Sequence, residues 1–191
     1  MDMKNEILTI FQKSIEVKNS FISEEKNIDS IANAAKLIIN CVRQGGKVIV
    51  FGNGGSAADS QHMAAELVVR FEKERKTIPC IALTTDTSIL TAMANDYSFD
   101  EVFSRQIEAF ANPGDIVIAV STSGNSENVV KALMEAKNRN VKIISLTGRD
   151  GGKLPSLSDV MILVKAENTA RIQEVHGTVI HALCKIVEDS I

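Results

Sequence analysis

Ile116-Val117-Ile118-Ala119-Val120-Ser121-Thr122-Ser123-Gly124-Asn125-Ser126 is the stretch from which the rest of this chain can be read. Five apolar residues in a row, four of them β-branched, predict a strand buried on both faces. Six residues with four hydroxyls and one Gly follow, and residues 127–138 are patterned as a helix. Strand, polar turn and helix in that order make a natural seat for a phosphate. Hydroxyls and backbone N–H groups donate, the helix N-terminus supplies partial positive charge, and no Lys is required. A plain turn with an N-cap would use one of those hydroxyls, and four in six residues exceed what a cap needs.

The same design recurs upstream. Val48-Ile49-Val50-Phe51 is a short buried strand that ends in Gly52-Asn53-Gly54-Gly55-Ser56, with a helix predicted over 56–71. Further strands are expected at 79–83, 141–146 and 160–164, and helices at 88–94, 99–110, 127–138 and 169–189. Residues 148–155 read as a loop. Before the first strand, residues 1–45 form a helical pair, and Gly45-Gly46 stops its second member. Apolar strands alternating with helices predict one α/β domain over residues 1–191, a five-stranded parallel sheet with helices on both faces. Ligands of such sheets bind outside the carboxyl ends of the strands, where both polar turns fall.

The first turn, Gly52-Asn53-Gly54-Gly55-Ser56-Ala57, also fits the dinucleotide fingerprint G-x-G-x-x-G/A. That fingerprint wants an acidic residue at the end of the next strand, and Asp86 lies a few residues too far. The glycines alone would permit a tight turn, with Ser56 as N-cap and Asp59 in a capping box.

Bulk properties narrow the field. A formal net charge of −3 over 191 residues gives no basic bias toward nucleic acid or an anionic membrane. No apolar run reaches the ~20 residues that span a bilayer. Cys41, Cys80 and Cys184 are widely spaced and odd in number, which predicts buried reduced thiols in a cytoplasmic protein.

Other polar residues invite two readings. His62 and Glu66 are four apart and share a helix face, which by itself is an ordinary solvated pair. Gln173 and His181 share a face of the last helix with Gly177 between them, where a missing side chain admits a ligand or another backbone. Glu174 and His176 read as polar surface positions. Arg171 reads as a solvated helix start, and Asn95-Asp96 as the end of a helical run.

Taken together, Gly52-Asn53-Gly54-Gly55-Ser56, Asn95-Asp96, Ser121-Thr122-Ser123-Gly124-Asn125-Ser126, Leu146-Thr147-Gly148 and Arg171-Ile172-Gln173-Glu174 resemble the sugar isomerase (SIS) domain proteins. The resemblance covers nearly the whole chain. It implies a flavodoxin-like sheet and a homotetramer with active sites at subunit interfaces. The implied reaction converts sedoheptulose 7-phosphate to D-glycero-D-manno-heptose 7-phosphate, which opens bacterial heptose synthesis for lipopolysaccharide and related surface glycans. Ser121, Thr122, Ser123 and Ser126 would then hold the phosphate. Asn53, Gly54, Gly55 and Ser56 would contact the sugar, and Asn95, Asp96 and Gln173 would complete the substrate site. Glu66 and His181 would be the acid/base pair, with His62, Glu66, Gln173 and His181 able to carry zinc. A non-enzymatic branch of the family binds a replication-initiator protein, and the chain is similar to it around Ser56-Ala57-Ala58 and Arg70-Phe71-Glu72-Lys73-Glu74-Arg75. Glu66 and His181, which that branch lacks, favour the enzyme.

Overall fold

In the structure, a computed structural model that describes residues 2–191, the strands are β1 (Val48–Gly52), β2 (Cys80–Ala82), β3 (Ile116–Ser121), β4 (Lys142–Gly148) and β5 (Val160–Val164). They pair in the order β2-β1-β3-β4-β5, all parallel. β1 and β3 are buried along their full length, as continuously apolar strands must be when helices cover both faces.

The pleat sorts each strand onto two cores. Val48, Val50, Ile116, Ile118, Val120, Ile144 and Leu146 meet α2 (Glu25–Arg43), α3 (Gly55–Val68) and α7 (Thr169–Ser190) on one face. Ile49, Phe51, Val117, Ala119 and Ile143 meet α5 (Ser104–Phe110) and α6 (Glu127–Asn138) on the other. Each fully buried aliphatic or aromatic side chain contributes about 1.5–3 kcal/mol. Asp115 holds the two central strands in step: it accepts from the Lys47 N–H at 2.9 Å, pairs with its ammonium, and accepts from the Asn112 N–H at 2.8 Å.

Several elements differ from the sequence expectation. α3 ends at Val68, three residues early, because Arg75 folds back and takes the carbonyls of Glu66 and Leu67. The helix expected over 99–110 breaks into a 3₁₀ turn, Phe99–Glu101, and α5. Val102 and Phe103 at the break are both buried, and the Gln106 amide holds the Val102 carbonyl. β4 runs on through Gly148, where a loop was expected, because Thr147 pairs with Ser121 and Gly148 with Val164. α4 (Thr87–Asp96) extends to include Asn95 and Asp96 and buries no residue.

α1 (Met3–Ser23) buries only Phe21, and Ile7, Leu8, Phe11 and Ile15 are each more than half exposed. The three cysteines are unpaired, Cys41 and Cys184 buried and Cys80 partly so. Burial pushes the Cys41 thiol up to about 11 and those of Cys80 and Cys184 to about 12, which makes them poor nucleophiles. Among the described residues, no helix is long and apolar enough to cross a membrane.

Candidate active site

A cleft of about 300 Å³ opens at the carboxyl ends of β1 and β3, where the strand order reverses direction. Its walls are Asn53, Gly54, Gly55 and Ser56 after β1, residues 120–123 and Ser126 around the end of β3, and Thr169 and Gln173 from α7. Among the described residues, no charged side chain lines it. α3 and α6 both begin at its edge, so the positive ends of two helix dipoles face one space.

The backbone explains the glycines. Gly54 is the N-cap of α3 at φ +56°, ψ −121°, a conformation that glycine alone adopts readily. The helix therefore opens at Gly55, and Ser56 and Asp59 are not a cap and capping box. Gly124, at φ +66°, lies against the 151–152 loop, where an added Cβ would come 2.0 Å from the Gly151 carbonyl oxygen. Within the β3 turn, the Ser121 hydroxyl accepts from the Gly124 N–H at 3.3 Å and that of Ser123 from the Asn125 N–H at 3.2 Å. Ser126 is the N-cap of α6 but makes no side-chain capping bond; its carbonyl accepts from the Val129 and Val130 N–H groups, so its hydroxyl and the N–H groups of Glu127 and Asn128 stay available to a ligand.

Asn53 and Asn128 exchange amide hydrogen bonds of 2.9 and 3.0 Å, which tie the two turns together. Asn128 and Thr169 were both missed by sequence reasoning. Asn128 is a buried amide two residues into α6. Thr169 stands four residues before Gln173 on the same helix face, and that spacing was the available signal. Asp86, the weak ribose candidate, is spent on the cap of α4, accepting from the Ile89 N–H at 2.9 Å.

A second group of side chains lies farther along α3 and α7. His62 Nε2 is 3.0 Å from Glu66 Oε1, and His181 Nε2 is 3.3 Å from His62 Nε2. One ligand atom from each of these three residues lies within 4.8 Å of the others, a set able to hold a metal ion. The His62 and His181 rings meet edge to face at 4.9 Å, and Phe71 stacks on His181 at 5.5 Å with 26° between planes. The sequence placed His62 and Glu66 on one face; the packing of α3 on α7 adds His181. Gln173 lies at the cleft, against Gly55, where an added Cβ would come 2.4 Å from its Nε2. Beside Gly177 a Cβ would meet nothing within 4 Å.

Asn95 and Asp96 bond to each other at 2.8 Å in the exposed last turn of α4, outside the cleft of their own chain. His176, expected at the surface, is fully buried instead. It bonds the Thr147 carbonyl at 3.1 Å, and burial pushes its imidazole down to about 4, so it is neutral and donates from Nε2. Arg171 is also no simple solvated residue: it donates to the Ile10 carbonyl at 2.7 Å and pairs with Glu174 at 2.5 Å. Helical periodicity gives the Arg171–Glu174 pair, three apart on α7, but not the Ile10 and Thr147 carbonyls, which α1 and β4 supply.

An uncharged phosphate-type cleft in a 2-1-3-4-5 parallel sheet, with a His–Glu–His group on the helices that leave it, defines the class. Residues 11–148 match the model of the SIS domain, and the chain belongs to that family. The particular relatives are narrower. Phosphoheptose isomerase of Aquifex aeolicus (strain VF5) is 49% identical over 189 residues, 99% of this chain and 98% of that one. Phosphoheptose isomerase of Syntrophotalea carbinolica is 53% identical over 182 residues, 95% of this chain and 92% of that one. The solved structure of phosphoheptose isomerase GmhA from Neisseria gonorrhoeae matches with a TM-score of 0.93 at 42% identity, covering 99% of this chain and all of that one.

Proposed function

We propose that this chain is an aldose–ketose isomerase that converts sedoheptulose 7-phosphate to D-glycero-D-manno-heptose 7-phosphate, the first step of heptose biosynthesis. One observation carries the reading: the helices that open on the uncharged cleft also bring Glu66 and His181 to a common point. From Gly55 to His62 is about 10 Å along α3, a separation suited to a ligand charged at one end and reactive at the other.

The phosphate sits in the cleft, held by Ser121, Thr122, Ser123 and Ser126 and by the α3 and α6 N-termini. Anchoring it lowers the entropic cost of presenting the far end. Asn53, Gly54, Gly55, Ser56 and Gln173 contact the sugar chain. Glu66 takes a proton from C1 of the ketose while His181 gives one to the C2 oxygen, which forms the enediol. C2 then regains a proton as O1 loses its own, leaving an aldehyde at C1.

His62, Glu66 and His181, with Gln173, would hold a zinc ion, since imidazole nitrogen and carboxylate oxygen suit it although Gln is an uncommon ligand. Zinc supplies Lewis acidity toward carbonyl and enediol oxygens. Protein purified without chelator should carry zinc, and zinc-free protein that gains nothing on its addition would overturn this.

The working assembly is a homotetramer. The exposed apolar face of α1 supports it, as does the position of Asn95 and Asp96, which would serve a neighbour's site. We place the protein in the cytoplasm, where its three free thiols stay reduced. Incubation with sedoheptulose 7-phosphate, followed by NMR, should reveal the aldose 7-phosphate; no conversion in either direction would sink the assignment.

A further inference from the structure

We propose that Arg75 and Glu188 form a clamp that positions Glu66 and His181 for the reaction; this rests on the isomerase reading above. Glu188 is buried on α7, seven residues or about 10 Å beyond His181. Its carboxylate accepts from the backbone N–H groups of Phe71, Glu72 and Lys73 at 2.9, 2.7 and 3.0 Å, and from Arg75 Nε at 3.0 Å. The other donors of Arg75 reach α3: one guanidinium nitrogen bonds the Glu66 carbonyl at 2.7 Å and the second bonds that of Leu67 at 2.9 Å.

Carbonyls in the last turn of a helix lack intrahelical partners, and a cation there also complements the helix dipole. Arg75 therefore fixes the turn from which Glu66 projects. Glu188 fixes the strap that follows, whose Phe71 ring lies on His181. One ion pair thus sets both members of the acid/base pair. Burial of such a pair is weak support for stability, since apolar residues can pack as well, and its best-attested use is to set register.

The chain has only three histidines, so their imidazole NMR signals report on the clamp apart from activity. His176, held by β4, is the internal control. Arg75→Lys keeps the charge but loses the fork, and Glu188→Gln removes the charge. Each should lower kcat by about 10²-fold, the scale of a misplaced reacting group. KM should stay within about threefold, because the clamp holds the carboxyl-terminal ends of α3 and α7 and the phosphate cleft lies at their amino-terminal ends. The His181 signal should move in both variants while that of His176 stays. Phe71→Leu should lose kcat, and Phe71→Tyr should restore it.

If Glu188→Gln fails to fold, Arg75→Lys and the Phe71 pair carry the test. An unchanged kcat and an unmoved His181 signal in Arg75→Lys would overturn the clamp while isomerisation by the parent still stood. A rise in KM together with a moved His176 signal would mean general loosening and would overturn it too. If the parent chain turned nothing over, the isomerase reading would fail, and the His181 signal would still decide whether the clamp sets that ring.

Discussion

The cleft and the His–Glu–His group are built in opposite ways. The cleft is built mainly from two short turns whose internal hydrogen bonds span two or three residues, such as the Ser121 hydroxyl with the Gly124 N–H, with Asn53 and Asn128 tying them together and Thr169 and Gln173 of α7 closing one side. It has no charged side chain, and it offers hydroxyls, amides and helix N-termini. The group, by contrast, joins His62 to His181 across 119 positions of sequence. There the titratable side chains are concentrated. The first is suited to holding a ligand whose charge is constant, the second to moving protons. Such a division lets binding and chemistry be changed separately.

Five substitutions and one change of pH test that separation, in falling order of effect. Glu66→Gln and His181→Ala should each cost about 10²–10⁴-fold in kcat, the usual worth of a general acid or base. KM should stay within a few-fold. A variant that instead raised KM at constant kcat would break the division.

His176 lies at the seam, on α7 between Gln173 and His181 and bonded to the strand beside Ser121. Its folded-state value near 4 lies below the unfolded value of about 6.5. Between those values the unfolded chain binds more protons, so stability is full above pH 6.5 and falls as pH drops toward 4. The loss should reach about 3 kcal/mol. Urea melts at pH 7 and 4.5 should show it, and His176→Asn should flatten it. An unchanged slope in the variant would exclude His176 as the source.

Ser126→Ala removes a hydroxyl that no cap uses. A lost hydrogen bond to a charged group is worth about 1.5–3 kcal/mol, so KM for the sugar phosphate should rise about tenfold or more, with kcat nearly kept. Equal losses in kcat would place Ser126 in the chemistry.

Gly55→Ala should have the smallest effect. The atom its Cβ would meet is the movable end of Gln173, so stability should shift by less than about 1 kcal/mol while KM rises a few-fold. Wild-type KM would show that Gln173 does not need that position.

Much of this was legible in one dimension. Continuous apolar runs predicted five strands, and the turns after β1 and β3 announced a polar cleft at the carboxyl ends of the sheet. Strand burial and turn conformation depend on residues within a few positions of each other, so a linear reading reaches them. The same periodicity placed His62 beside Glu66, and Gln173 on a face with His181. The roles proposed for those four rest on family resemblance, not on spacing.

Other features depended on neighbours distant in sequence. Where α3 stops is set by Arg75 and Glu188, where β4 stops by β3 and β5, and what His176 does by the Thr147 carbonyl. Asn53 meets Asn128 only because β1 and β3 lie side by side. Alone, the sequence determined the layered α/β class, the strand–turn–helix units and the chemistry of the cleft, because each is a local matter of propensity, pattern and turn geometry. Only the tertiary structure decided which units became neighbours, and hence that His181 joins His62 and Glu66, since the packing of α3 against α7 is specified by no segment by itself.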